Sequence, residues 1–356
     1  ENKKHSDIIE NPEFFNTFNG YPDWIFGEET SDYEKHFNIF KGVATNVLGT
    51  EKAFEQFCYI VGYKIKYPSR KKPFGCIIRG KQGEGKNWLL EQLAKIIGFE
   101  HYLTSSNIKD VIGDYAMGLF HKLIVNLNEM DLTSTKSLTN RFKSVISENQ
   151  ITFNPKHSNQ FEAVNYALII VTSNETCPIS LDVMSGDRRW FIFEGNGANV
   201  DLTDQQWTQI FRHCEDANFT RSLYKYFMSL DYEAYDYKKE KQNNSKSEAY
   251  NKVAQFFTPY EYLFFKDWII DQYFADLPQE FSPLDGFTDE SEEEAQPCLY
   301  YERKEFYEAY SIEAADLLRQ FWDWSKRNKV LLGESKNSKQ FIGKIMNCNF
   351  TGLAKS

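Results

Sequence analysis

Between positions 33 and 66 apolar residues recur at three- and four-residue spacing: Phe37, Phe40, Val43, Val47 and Leu48, then Phe54, Phe57, Cys58, Val61 and Ile65. A stripe with that period covers one face of a helix, so the segment reads as two helical runs. YPSRKKP (67–73), rich in proline and charge, breaks the pattern. From 74 to 195 the period changes. Short unbroken apolar runs, GCIIRG (75–80), LIVNL (123–127), ALIIVTSN (167–174) and WFIFE (190–194), alternate with helical stretches. Such runs suit strands buried on both faces, and the alternation predicts an α/β sandwich around a parallel sheet. NWLLEQLAKIIG (87–98) reads as an amphipathic helix, with Leu89, Leu90, Leu93, Ile96 and Ile97 inward and Gly98 as its stop. Residues 203–276 are mostly helical in pattern and rich in Tyr and Phe. Within them KKEKQNNSKSEAYNK (238–252) reads as an exposed helix or a linker. The stretch 281–297 has six carboxylates and no Lys or Arg, the mark of a solvated loop. Helical runs return between 299 and 350.

Composition narrows the class. With 356 residues, 41% apolar and 26% charged, the chain has room for two or three globular domains. No apolar run approaches the ~20 residues of a membrane helix, and the polar start shows no secretory signal. The chain begins at Glu1 rather than Met, as a fragment of something larger would. Its six cysteines are scattered, with no Cys-x-x-Cys pair, which argues against a disulfide framework or a zinc site and fits a reducing cytoplasm. A net charge of −10 disfavours coating nucleic acid with the whole surface, but leaves room for a small basic element lining a channel.

The chemistry gathers around GKQGEGKN (80–87), between the first strand and the amphipathic helix. Gly80, Gly83, Glu84, Gly85, Lys86, Asn87 and Trp88 form a candidate nucleotide cradle. The glycines let backbone N–H groups turn inward, the helix adds its positive end, and Lys86 reaches the β- and γ-phosphates. The bland alternative is a structural turn. Position 87, where such loops carry the Ser or Thr that meets Mg²⁺, is Asn87. LIVNL runs on into Asn128 and Glu129. Glu129 suits the carboxylate that polarises a lytic water, while Asn128 stands where a metal-binding Asp is usual. An amide oxygen can accept from a metal-bound water, so ATP with weakly held Mg²⁺ is the expected cofactor, with Asp131 as a helper. Asn174, closing the next strand, has the donor and acceptor to place the water, or else caps a turn. Arg188 and Arg189 precede WFIFE. One reads as a finger that neutralises transition-state charge, the alternative being a salt bridge to Asp187 or Glu194.

These four motifs, in this order between 80 and 189, resemble the superfamily 3 helicases of viruses and mobile elements. More narrowly, they resemble the helicase portion of poxvirus- and phage-type primase-helicases. The resemblance covers 75–195 and extends loosely back to FFNTFNGY (14–21). It implies an AAA+-like P-loop ATPase core with a parallel sheet at 71–200, after an N-terminal helical region at 1–70. A helical region at 201–280 would follow, then the acidic loop and a winged-helix-like domain at 281–356. It also implies a homo-oligomeric ring, a hexamer, with ATP between subunits and single-stranded DNA in the channel. ITFNPKHSNQF (151–161) has two strand-like segments around a Pro- and Asn-containing turn, hence a hairpin. The resemblance places Lys156 and His157 on the DNA from its tip. A primase domain or a polymerase is the implied partner, with no membrane, in the host cytoplasm or at a virus replication site. The amides at 87 and 128 sustain an alternative, an ATP-binding but slowly hydrolysing replication-initiator or DNA-loading module. A small-molecule phosphotransferase finds no second substrate site.

Overall fold

The computed structural model describes residues 18, 20–27, 32–113, 117–129, 136–157, 159–175, 177–179, 181, 189–264, 267, 314–328 and 341. Helices α1 (Tyr33–Leu48) and α2 (Glu51–Lys66) come first, followed by β1 (Gly75–Arg79), α3 (Lys86–Ile97), β2 (Tyr102–Ser105) and α4 (Lys109–Ile112). Next are β3 (Ile124–Asn128), α5 (Lys136–Ser147), β4 (Gln150–Phe153), β5 (Phe161–Val164), β6 (Leu168–Ser173) and β7 (Trp190–Glu194). Helices α6 (Asp204–Glu215), α7 (Ala217–Ser229), α8 (Tyr237–Ser245), α9 (Glu248–Phe257) and α10 (Ala314–Arg327) complete the described α-helices.

Five strands form a parallel sheet in the order β2-β3-β6-β1-β7, as the strand–helix alternation predicts. Strand β1 is buried along its whole length. Cys76, Ile78, Ile124, Ile170, Phe191 and Phe193 share one core with Phe40 of α1, Phe57 of α2, Leu93 of α3 and Phe227 of α7. Across the sheet Trp190 meets Phe142 of α5, ring centroids 5.7 Å apart. Burial on both faces is why these strands read as unbroken apolar runs rather than alternating ones.

Compactness divides the chain into residues 1–181 with 187–256, and 182–186 with 257–356. The flanking helices α1, α2 and α7 thus belong to the same body as the sheet. In the second unit Phe321 of α10 packs on Phe264 and Phe341 at 5.3 and 4.7 Å. The acidic stretch 281–297 lies outside the described residues. Among the described residues no helix is long and apolar enough to cross a membrane.

Two features depart from the sequence reading. Strand β2, absent from it, is a partly exposed edge; with Tyr102 and Leu103 its only apolar residues, it carries no burial pattern to detect. The 238–252 segment is neither linker nor wholly exposed. Asn244 is 3% exposed, accepts from Ile192 N–H at 2.8 Å and donates to Ile192 C=O at 3.0 Å. A side-chain amide, having both donor and acceptor, thus supplies the pairing that edge strand β7 lacks on that side. The basic run before β1 is also spent locally. Lys64 donates to Pro68 C=O at 3.0 Å, Lys66 to Met228 C=O at 3.2 Å, and Lys71 to Val145 C=O at 2.7 Å.

Replacing Asn244 by Leu leaves the N–H and C=O of Ile192 unpaired at a buried edge. The expected loss is about 2–4 kcal/mol of stability, read from the urea-unfolding midpoint at unchanged slope.

Candidate functional site

Parallel strands bring their C-terminal ends to one rim of the sheet, and the register sets Arg79 beside Ser173 and Asn128 beside Thr172. Residues 80–85 leave that rim and turn into α3. Gly83 and Gly85 have φ of +85° and +92°, a region that favours glycine. No side chain caps α3 at Gly85, the arrangement in which first-turn N–H groups can receive an anion.

Lys86 folds back over this loop. Its Nζ donates to Gly80 C=O and Lys81 C=O, both at 2.8 Å, and to Asn174 Oδ1 at 2.7 Å, using all three donors. Burial pushes the ammonium pKa below its ordinary value, and the Glu84 and Glu129 carboxylates offset only part of that shift. Asn174 in turn donates from Nδ2 to Glu129 Oε1 at 3.4 Å. Glu129, at φ +53°, is fixed by its own N–H on Thr172 C=O at 2.8 Å. Lys86, Asn174 and Glu129, which follow three adjacent strands, are therefore joined in one hydrogen-bonded chain.

The remaining candidates take different places. Asn87 is exposed in the first turn of α3. Asn128 Oδ1 accepts from the Thr172 hydroxyl at 3.0 Å, a proton shared with Asn126 Oδ1 at 3.0 Å. The indole of Trp88 is turned into the core, 5% exposed and 6.1 Å from the Phe40 ring, so only its backbone belongs to the cradle. Glu84 is 1% exposed and also points away. Arg189 precedes β7 at the opposite rim, where its C=O accepts from Gly75 N–H at 2.7 Å. About 16 Å of strand separates it from the loop of its own chain. The same distance rules out a pair with Glu194, which binds Arg79 at 3.3 Å and Lys252 at 3.0 Å. Arg188, Met130 and Asp131 lie outside the described residues. Among the described residues no group of three or more His, Cys, Asp or Glu side chains is disposed to hold a metal.

The expected hairpin is present: β4 and β5 pair antiparallel with Phe153 opposite Phe161. Their rings stack at 5.7 Å, and Phe120 packs on both at 5.2 and 5.4 Å. Lys156 and His157 are exposed at the turn, His157 with φ +66°. Asn165 Nδ2 donates to Val145 C=O at 2.7 Å, tying the base of the hairpin to α5. Thr172 escapes the sequence reading because its role is to hold other side chains. The run TSN at a strand end was the one available signal for Thr172.

Comparison with known proteins places this architecture. Residues 78–189 match the model of DUF5906, described as a family of unknown function. The DNA primase-polymerase of Nitratiruptor phage NrS-1 is 36% identical over 159 residues, 43% of this chain and 21% of that protein. The chain is similar to part of a phage primase-polymerase. It spans about a fifth of that relative's length. The apo structure of the NrS-1 C-terminal region shares the fold, with a TM-score of 0.61 at 20% identity over 85% of this chain and 69% of that one. Its A form gives 0.59 at 20% identity, over 88% and 75%. Identity is thus concentrated in the matched 159 residues, while the fold extends well beyond them.

Replacing Thr172 by Val removes the hydroxyl that joins Asn126 to Asn128. The expected cost is about 1–3 kcal/mol, measured as a lower unfolding midpoint.

Proposed function

We propose that this chain is the ATP-driven motor core of a ring-forming, superfamily 3-type DNA helicase acting in viral or mobile-element replication. The observation that carries the reading is the convergence of Lys86, Asn174 and Glu129 beside an uncapped helix N-terminus. A phosphate loop, a strand-end carboxylate and a polar water-positioning group are the parts nucleotide hydrolysis needs. Similarity to a phage primase-polymerase supports a place in DNA replication and a primase or polymerase as partner.

In this reading the loop N–H groups receive the phosphates, and Lys86 exchanges the Gly80 and Lys81 carbonyls for β- and γ-oxygens. Glu129 draws the proton of the attacking water, oriented by Asn174. The donor set fits Mg²⁺ held mainly by phosphates and waters, with Asn87 and Asn128 holding it through water, where it would neutralise charge on the phosphates. Arg189 lies too far from its own loop, so an arginine finger from 188 or 189 serves the site of a neighbouring subunit. Lys156 at the exposed tip contacts strand phosphates, and His157 stacks on or donates to the backbone. Convergence of several such tips in one channel lets a protein of net charge −10 hold DNA.

The neutral amides at 87 and 128 favour a second reading, an ATP-binding initiator or loading module with slow turnover. Steady-state ATP hydrolysis with Mg²⁺ separates the two. The motor reading expects stimulation by single-stranded DNA, about 10²-fold or greater loss in Glu129→Gln, and loss of the DNA-stimulated component in Lys156→Ala. Wild type no faster than Glu129→Gln establishes the switch reading instead.

A further inference from the structure

Glu84 sits inside the phosphate loop, where a carboxylate facing the cradle would repel the ligand. The fold turns it the other way. Oε1 accepts from Gly197 N–H at 2.6 Å, and Oε2 is buried without a hydrogen-bond partner. A Cβ at Gly80 or at Gly195 would collide with that carboxylate, so a side chain at either position would displace it. The backbone is held as well: Asn199 Nδ2 donates to Glu84 C=O at 2.9 Å and to Val43 C=O at 3.0 Å. The 195–199 turn is itself fixed. Asn46 Nδ2 donates to Asn199 Oδ1 at 2.9 Å, Asn196 N–H to Asn46 C=O at 3.0 Å, and Gly195 N–H to Arg79 C=O at 2.9 Å. Burying a carboxylate on so few partners is costly, and such costs persist where surroundings enforce them at functional sites.

We propose that Glu84 is a positioning residue of the phosphate site: its buried carboxylate fastens the loop to the 195–199 turn and so to α1. The fastening holds the backbone N–H groups at 83, 85 and 86 in their ligand-ready orientation before any phosphate arrives. A loop ordered in advance loses little entropy on binding, and its dipoles need no reorganisation. The inference rests on the nucleotide-binding reading above, and it explains why an acidic residue is tolerated in a phosphate loop.

The test uses the whole chain and two probes with Mg²⁺, ATP and inorganic tripolyphosphate, titrated calorimetrically. Exchange of the Gly197 amide is followed in ligand-free protein. Glu84→Ala is expected to weaken both probes by about tenfold or more and to speed Gly197 exchange. Glu84→Gln keeps an acceptor for that N–H and is expected to recover most of both losses, which a merely space-filling role would not explain. Glu84→Asp, too short to reach, should behave like Glu84→Ala and serves if the alanine variant does not fold. Binding of both probes at wild-type strength by Glu84→Ala or Glu84→Asp overturns the proposal. If wild type binds neither probe, the nucleotide reading fails instead. Gly197 exchange then still decides the fastening, and equal rates in wild type and variant refute it.

Discussion

Strands that run parallel and in register deliver their C-terminal ends to a single rim, and the chemistry of this protein depends on that constraint. Arg79, Ser173 and Asn128 end three neighbouring strands. The residues just beyond them, the glycine loop with Lys86, Asn174 and Glu129, therefore meet although they are scattered over about a hundred positions. The C-terminal rim of an open α/β sheet is where ligands settle, because chain and helix N-termini diverge there. A shift of one residue between β3 and β6 would point Glu129 away and break the chain to Lys86.

Charge at the rim is managed by neutralisation rather than accumulation. Amides occupy positions 87 and 128, and the one acid within the loop is turned into the protein. What remains is a lysine whose pKa burial holds below its ordinary value, with Glu84 and Glu129 opposing that shift only in part. In the proposed reading, a site built this way would rely on the nucleotide's own phosphates to attract a divalent cation. Its three lysine donors are satisfied by carbonyls and an amide until a ligand replaces them.

The far rim follows another logic. Lysines 64, 66 and 71 hold backbone carbonyls, so the most basic stretch of the chain serves structure. The hairpin leaves the sheet on an aromatic base of Phe120, Phe153 and Phe161 and exposes Lys156 and His157, which pair with nothing on that base. Sequence alone could not separate these two placements of positive charge. Both occur in polar segments with prolines, and only burial distinguishes a lysine that clamps backbone from one left exposed.

The sequence by itself determined the four buried strands, the glycine loop with Lys86, the two N-terminal helices and the hairpin, since each is written in local periodicity or turn chemistry. Glu129 and Asn174 were legible for the same reason, as polar residues closing apolar runs. Strand β2, the Asn244 edge cap and the inward turn of Glu84 and Trp88 were decided only by the tertiary structure. Each depends on a partner distant in the chain: β3 for the edge strand, Ile192 for Asn244, Gly197 for Glu84 and Phe40 for Trp88. Backbone pairing and burial reward such partners without requiring any local pattern, and a polar side chain carries no mark of which way it will face.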